Sequence, residues 1–269
     1  MDPIKYWRLK TFEIASHQFK FDELVNKTFD RLATDQTGLC KYSFNELGFR
    51  GDSINKEGFK VMSIGCSYTI GVGVNDDETW SSQFCKLINK GVDMNFGMPA
   101  RSSDYVVRCL FTFFDYVKPN LVLIMYPNLA RREFYTKDGH IVPFMPTNSW
   151  GYLKETEEGR NIQKNLFELQ NDNQDFVNWY KNHLLITYYL KNKNCNWLWN
   201  GSYGIKKEYH EFNRFDGDYK EPKYKDFGSD GKHPGPINNK IYAQNLHEYI
   251  NLKFPEYLNM IEIPKRKII

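Results

Sequence analysis

The sequence predicts an α/β fold, one domain in which a parallel sheet carries helices on both faces. Two observations lead there. Short apolar runs ending at glycine or turn residues alternate with longer segments whose apolar residues recur every three or four positions. The run Leu121-Val-Leu-Ile-Met-Tyr126 is apolar throughout, as a strand covered on both faces of a parallel sheet must be. Such alternation stacks helices against both sides of the sheet.

In chain order, residues 1–57 are expected as an N-terminal extension packed on the core. They include a helix over residues 19–32 and a turn-rich lead-in, Asn45-Glu-Leu-Gly-Phe-Arg-Gly51. The main domain is expected over residues 58–255. Lys60-Val-Met-Ser-Ile-Gly65 reads as the first buried strand. Asp76, Asp77 and Glu78 suit a helix N-terminus, where carboxylates meet the positive end of the dipole, and Trp80, Phe84, Leu87 and Ile88 follow at helical spacing. Val92-Asp-Met-Asn-Phe96 is the second strand, closed by Gly97. Ser102 or Ser103 can cap a helix bearing Val106, Leu110, Phe113 and Val117 on one face. After the central strand, Phe176, Tyr180, Leu184 and Tyr188 mark another helix, and Asn196-Trp-Leu-Trp-Asn200 a fourth strand. Pro236 starts a last helix with Ile237, Ile241, Leu246, Tyr249 and Ile250. Residues 127–172 and 201–229 escape the alternation and are rich in Tyr, Lys, Asn and Gly. Long loops in a compact domain act as lids, insertions or partner contacts. Residues 256–269 are expected as a tail.

Bulk properties narrow the function. The 269 residues are 41% hydrophobic, enough for a substantial core. With 36 Lys+Arg against 33 Asp+Glu, the net charge of +3 gives no footprint for nucleic acid. No apolar stretch is long enough to span a membrane, and the N-terminus lacks a signal-peptide core. The five cysteines, Cys40, Cys66, Cys85, Cys109 and Cys195, show neither metal-ligand spacing nor a disulfide framework. A cytoplasmic location is therefore expected, with no metal and no cofactor. Aromatics make up 16% of the chain, which serves either as core or as stacking surface for carbohydrate.

The chemistry concentrates in two motifs. Ser67, in Gly65-Cys-Ser-Tyr-Thr69, lies two residues past the first strand, at the carboxyl end of the strand, where open α/β sheets bind ligands. A serine hydroxyl is a poor nucleophile until a neighbouring base takes its proton. Asp230-Gly-Lys-His233-Pro-Gly235 supplies a base. A spacing of three within a turn sets both side chains on one side, so that the carboxylate can orient the imidazole. Either motif alone also reads as a plain turn. Cys66 reads either as a second nucleophile or as a buried thiol beside the turn.

From about Asn45 to Ile250 the chain resembles the SGNH/GDSL hydrolases, esterases and lipases. The resemblance rests on Gly65-Cys-Ser67-Tyr-Thr-Ile-Gly71-Val-Gly73, on Gly97, and on Asp230 with His233. It implies a three-layer α/β/α, flavodoxin-like, doubly wound parallel sheet of about five strands. It also implies Ser67 as nucleophile, His233 as general base oriented by Asp230, and an oxyanion hole from the N–H groups of Ser67 and Gly97 with an asparagine side chain. Cys66 stands where the family has aspartate. The third block departs further: Met125-Tyr-Pro-Asn-Leu-Ala-Arg-Arg-Glu133 replaces the family's Gly-x-Asn-Asp, leaving Asn128 as the nearest donor. Loss of one donor lowers turnover by about 10²–10³. Arg131 or Arg132 either substitutes electrostatically or pairs with Glu133.

The leading expectation is a serine esterase acting on a small-molecule or carbohydrate ester, O-acetyl groups included. An acyltransferase would use the same residues. The alternative keeps the scaffold with reduced chemistry, as a binding or structural protein such as a component of a viral or phage particle.

Overall fold

A computed structural model describes residues 28–29, 40–135, 141–144, 157–201 and 225–258. Its centre is a five-stranded sheet. The strands are β3 (Arg50–Gly51), β4 (Phe59–Gly65), β5 (Gly91–Gly97), β6 (Leu121–Tyr126) and β9 (Asn196–Gly201), in the order β3-β5-β4-β6-β9. The four long strands are parallel, and β3 joins the β5 edge antiparallel. Part of the anticipated N-terminal extension thus enters the sheet itself.

Side-chain alternation divides the core into two layers. Met62, Ile64, Met94, Phe96, Val122, Ile124, Tyr126, Trp197 and Trp199 pack with α3 (Ser103–Val117) and α5 (Asp172–Asn192). Phe59, Val61, Leu121, Leu123, Met125 and Leu198 pack on the other side with α2 (Trp80–Lys86) and α6 (Pro236–Lys253). Both layers are dense in large side chains: Trp80, Trp179 and Trp199 are almost wholly buried, each worth roughly 1.5–3 kcal/mol or more in apolar burial. This is the three-layer, mostly parallel α/β/α arrangement expected.

Local chemistry sets the boundaries. Thr79 caps α2 by accepting from the Ser82 N–H at 3.2 Å, so the three acids form a short 3₁₀ turn just ahead of it. Ser102 caps α3, and its expected apolar face is buried. Asn171 caps α5, which starts one turn earlier than its apolar spacing suggests because Asp172 and Asp175 occupy the first turn. Pro236 opens α6, yet Ile237 is exposed; the buried side chains are Asn239, Tyr242, Ala243, Leu246 and Ile250.

The helix expected over residues 19–32 fails at its described part. Thr28 and Phe29, a β-branched and an aromatic residue suited to strands, form β1 (Thr28–Phe29), antiparallel to β2 (Tyr42–Ser43). The rest of that segment lies outside the described residues. Within 127–172, β7 (Arg132–Tyr135) and β8 (Ile141–Phe144) form an antiparallel pair. Phe134, Phe144 and α4 (Glu157–Leu169) make a small apolar cluster of their own. Residues 202–224 lie outside the described residues. Among the described residues no helix is long and apolar enough to cross a membrane, and no His/Cys/Asp/Glu group could hold a metal ion.

Candidate active site

The strand register brings three loops to one edge. Gly65, the last residue of β4, pairs with Gly97 of β5 and Met125 of β6. The segments carrying Ser67, Gly97 to Arg101, and Asn128 therefore leave adjacent strands at the same level.

Ser67 begins α1 (Ser67–Ile70), a single turn with Cys66 extended ahead of it and Gly71 left-handed behind it. A helix start leaves its first N–H groups unpaired, and neither the Ser67 N–H nor its hydroxyl has a hydrogen-bond partner among the described residues. Cys66 is fully buried in the apolar layer beneath, which favours the structural reading of its thiol. The turn is held from outside by Arg50, which is 1% exposed. The Arg50 guanidinium donates to the carbonyls of Ile70, Gly71 and Val74 at 2.7 Å each, to Lys41 at 2.8 Å, and to Asp76 at 2.7 Å. It also lies 4.2 Å over the Tyr42 ring. The Tyr42 hydroxyl accepts from the Gly73 N–H at 2.7 Å.

Asp230 and His233 sit in a tight loop before α6. The Gly228 N–H bonds the His233 carbonyl, and Gly235 bonds Asp226. The Asp226 carboxylate caps α6 through the N–H groups of Ile237 and Asn238. In this frame His233 Nδ1 and Asp230 Oδ2 are 2.5 Å apart, and Asp230 Oδ1 accepts from the backbone N–H groups of His233 and Lys232. Burial pushes the Asp230 carboxyl up, but these bonds outweigh it and hold the group below its ordinary range. Asp230 is thus a carboxylate at neutral pH, and the imidazole Nδ1 donates to it. That tautomer leaves Nε2 with a free lone pair, and no partner meets it among the described residues.

The two motifs, far apart in sequence, touch. The Ser229 N–H bonds the Gly73 carbonyl at 2.8 Å. A Cβ on Gly73 would stand 3.0 Å from Asp230 Oδ1 and 3.0 Å from the Gly228 Cα, so this contact needs glycine. Cys40 Sγ and Ser229 Oγ are 3.1 Å apart. The His233 ring meets the ring of Tyr68, the neighbour of Ser67, edge-on at 5.4 Å.

The expected oxyanion donors fare unequally. The Gly97 N–H donates to Asn95 Oδ1 at 2.9 Å, so it is already engaged. Gly97 has a packing role instead, because a Cβ there would fall 2.1 Å from the Ile70 nitrogen. Asn95 also donates to the Thr69 carbonyl and to Ser81 Oγ, at 2.8 Å each, which ties β5 to the end of α1. Three residues on, Ala100 adopts a left-handed φ of 61°, and its N–H is unengaged among the described residues. Asn128 accepts from the Ala130 N–H at 2.9 Å through Oδ1. That bond fixes the amide and leaves its Nδ2 group available as a donor.

Glu133 settles the pairing alternative against both expected arginines. It is held by Arg108, with Nη2 at 2.8 Å from each carboxylate oxygen, and lies 3.9 Å from Arg101. Arg132 pairs with Asp175 at 2.6 Å. Sequence reasoning missed Arg50, Tyr42 and Asn95, which hold the serine turn. The signal was present in Asn45-Glu-Leu-Gly-Phe-Arg-Gly51, but only as a lead-in of turn residues.

The chain thus carries a serine just past the end of a central strand and, on a loop docked behind it, an Asp–His pair, in a mostly parallel α/β sheet. No family model matches the sequence, and no curated protein matches it. Solved structures similar in fold include a candidate lipolytic protein of the G-D-S-L family from Desulfitobacterium hafniense DCB-2. It is 16% identical with a TM-score of 0.33, over 71% of this chain and 99% of that one. A candidate acylhydrolase from Bacteroides fragilis NCTC 9343 is 12% identical with a TM-score of 0.30, over 76% and 90%. A candidate GDSL-like lipase from Bacteroides ovatus ATCC 8483 is 11% identical with a TM-score of 0.33, over 75% and 55%.

Proposed function

We propose that this protein is a serine acyl hydrolase that cleaves a carboxylic ester through an acyl-enzyme on Ser67. The observation that carries the reading is the docking of the Asp230–His233 loop on the loop that follows Ser67, with His233 Nε2 and the Ser67 hydroxyl both unengaged. In the first step His233 Nε2 takes the Ser67 proton as the serine oxygen attacks the ester carbonyl. Asp230 stabilises the resulting imidazolium. The developing oxyanion is met by the Ser67 N–H, the Ala100 N–H in place of the engaged Gly97 N–H, and Asn128 Nδ2. The acyl C–O bond breaks, and His233 returns its proton to the departing alcohol. Water, deprotonated by His233, then releases the acid and restores Ser67.

Ser67 is only 8% exposed, which favours a short acyl group; O-acetyl groups on carbohydrate are the substrate class to which we extend the reading. The test is labelling with a fluorophosphonate, followed by intact mass. Wild-type protein should gain one adduct, Ser67→Ala none, and His233→Ala should label at least about 100-fold more slowly. A folded wild-type protein that gains no adduct would rule out the covalent mechanism.

A further inference from the structure

Among the described residues, four arginines and three carboxylates gather where the chain leaves β5 and β6 and on the helices packed there. They are Arg101, Arg108, Arg131 and Arg132, with Asp104, Glu133 and Asp175. Every carboxylate is committed. Glu133 is taken by Arg108 and approached by Arg101. Asp175 accepts from Arg132 and from Gln170. Asp104 accepts from the Ser102 hydroxyl, the Asn178 and Asn182 amides and the Glu133 N–H. Arg131 meets no carboxylate among the described residues. Its side chain reaches only the Arg101 carbonyl, at 3.5 Å, and the residue is half-buried.

Its position gives the Arg131 charge a use. The Arg131 N–H donates to the Asn128 carbonyl at 3.1 Å, so Arg131 closes the turn that presents the Asn128 amide. Its guanidinium then spans from the β6 loop to Arg101, the residue after Ala100. It therefore bridges the two loops that carry the proposed oxyanion donors. A half-buried guanidinium keeps several N–H donors in a planar fork that matches a carboxylate.

We infer that Arg131 is the specificity residue of this site and that it binds a carboxylate carried by the ester substrate. The inference rests on the acyl-hydrolase reading. The carboxylate belongs either to the acyl group or to the alcohol, as in an O-acetylated acidic sugar.

Two matched pairs of esters separate these cases. 4-Nitrophenyl hemisuccinate against 4-nitrophenyl valerate places the charge on the acyl side, and 4-acetoxybenzoate against its methyl ester places it on the leaving group. Wild-type kcat/KM should favour the anionic member of one pair by about 10–100-fold, the range of a charge-assisted hydrogen bond. Arg131→Gln should bring that ratio to near unity, Arg131→Lys should retain part of it, and 0.5 M salt should shrink it in the wild type. Because the ratio is read within each variant, a general loss of activity cancels. Turnover with no ionic preference in either pair, or a preference that survives Arg131→Gln, overturns this inference alone. Absence of turnover on all four esters while Ser67 still labels overturns this inference alone; absence of labelling as well removes the hydrolase reading and this inference with it.

Discussion

Replacing Arg50 by methionine tests how the serine turn is held. Methionine has similar length and apolar volume but no donor. The change takes a donor from five acceptors, of which the carbonyls of Ile70, Gly71 and Val74 are bonded in the interior. Asp76 and Lys41 are nearer solvent, and Asp76 keeps the bonds from the Ser43 N–H, so their loss counts for little. A buried acceptor left unpaired costs about 1–3 kcal/mol. The Gly71 carbonyl keeps the Val74 N–H at 3.4 Å, so the Ile70 and Val74 carbonyls are left unpaired, and at about 1.5 kcal/mol each they give a destabilisation of about 3 kcal/mol. For a chain of this size that lowers the melting temperature by roughly 6–12 °C, which leaves the variant folded at 20 °C. Urea unfolding measures the first quantity, and the rate of fluorophosphonate labelling at 20 °C measures the second. Labelling should slow by at least about tenfold, since small misplacements of a nucleophile are costly. Arg50→Lys, which keeps the charge but only one nitrogen, should fall between. If Arg50→Met lies within about 1 kcal/mol of wild type and labels at the same rate, the guanidinium does not hold the turn.

Two further perturbations follow from the same geometry. His183 is enclosed by Trp179, Trp197, Trp199 and Tyr126, with Nδ1 3.2 Å from the Tyr126 hydroxyl, and burial lowers its pKa to about 4. The unfolded chain takes up this proton at about pH 6.5 and the folded one only near pH 4, so stability should fall with pH across that window, by about 3 kcal/mol in total. Urea unfolding between pH 7 and 4 should show that slope, and His183→Gln should flatten it; equal slopes would mean the buried imidazole is not responsible. Gly97→Ala places a Cβ 2.1 Å from the Ile70 nitrogen and 2.6 Å from the Thr69 carbonyl carbon. Backbone cannot yield as a side-chain tip does, so a loss of about 1–3 kcal/mol and slower labelling of Ser67 are expected in a melting and labelling assay; a neutral substitution would show that α1 is free to move off β5.

The fold was legible because its signals are local and periodic. The run from Leu121 to Tyr126 and the face from Val106 to Val117 lie in the structure where periodicity puts them. What escaped was non-local. Arg50 and Gly51 are two residues long as a strand, too short for any alternation, and they enter the sheet only because the exposed edge of β5 accepts them. Thr28 and Phe29 lie inside an apolar spacing compatible with helix, but pairing with Tyr42 and Ser43 decides their state.

In the site, side-chain types were readable and backbone commitments were not. Asp230 and His233 three residues apart already imply one face, and the loop that fixes them is built from turn residues visible in the sequence. Whether the Gly97 N–H is available depends on Asn95, two residues earlier on the same strand, curling its amide oxygen back onto it. Nothing in the pattern Asn95-Phe-Gly97 announces that bond. Three residues beyond that bond Ala100 is left-handed, a conformation that costs an alanine on the order of 1–2 kcal/mol. With Gly97 held down against α1 and its N–H engaged, the chain must turn sharply after β5 to reach the cap of α3 at Ser102. The strain falls on the residue at that bend. Its N–H, like that of Ser102, meets no partner among the described residues. The bend at Ala100 thus turns a backbone N–H away from the strand ladder with no partner among the described residues, which is what the proposed oxyanion role requires of a donor.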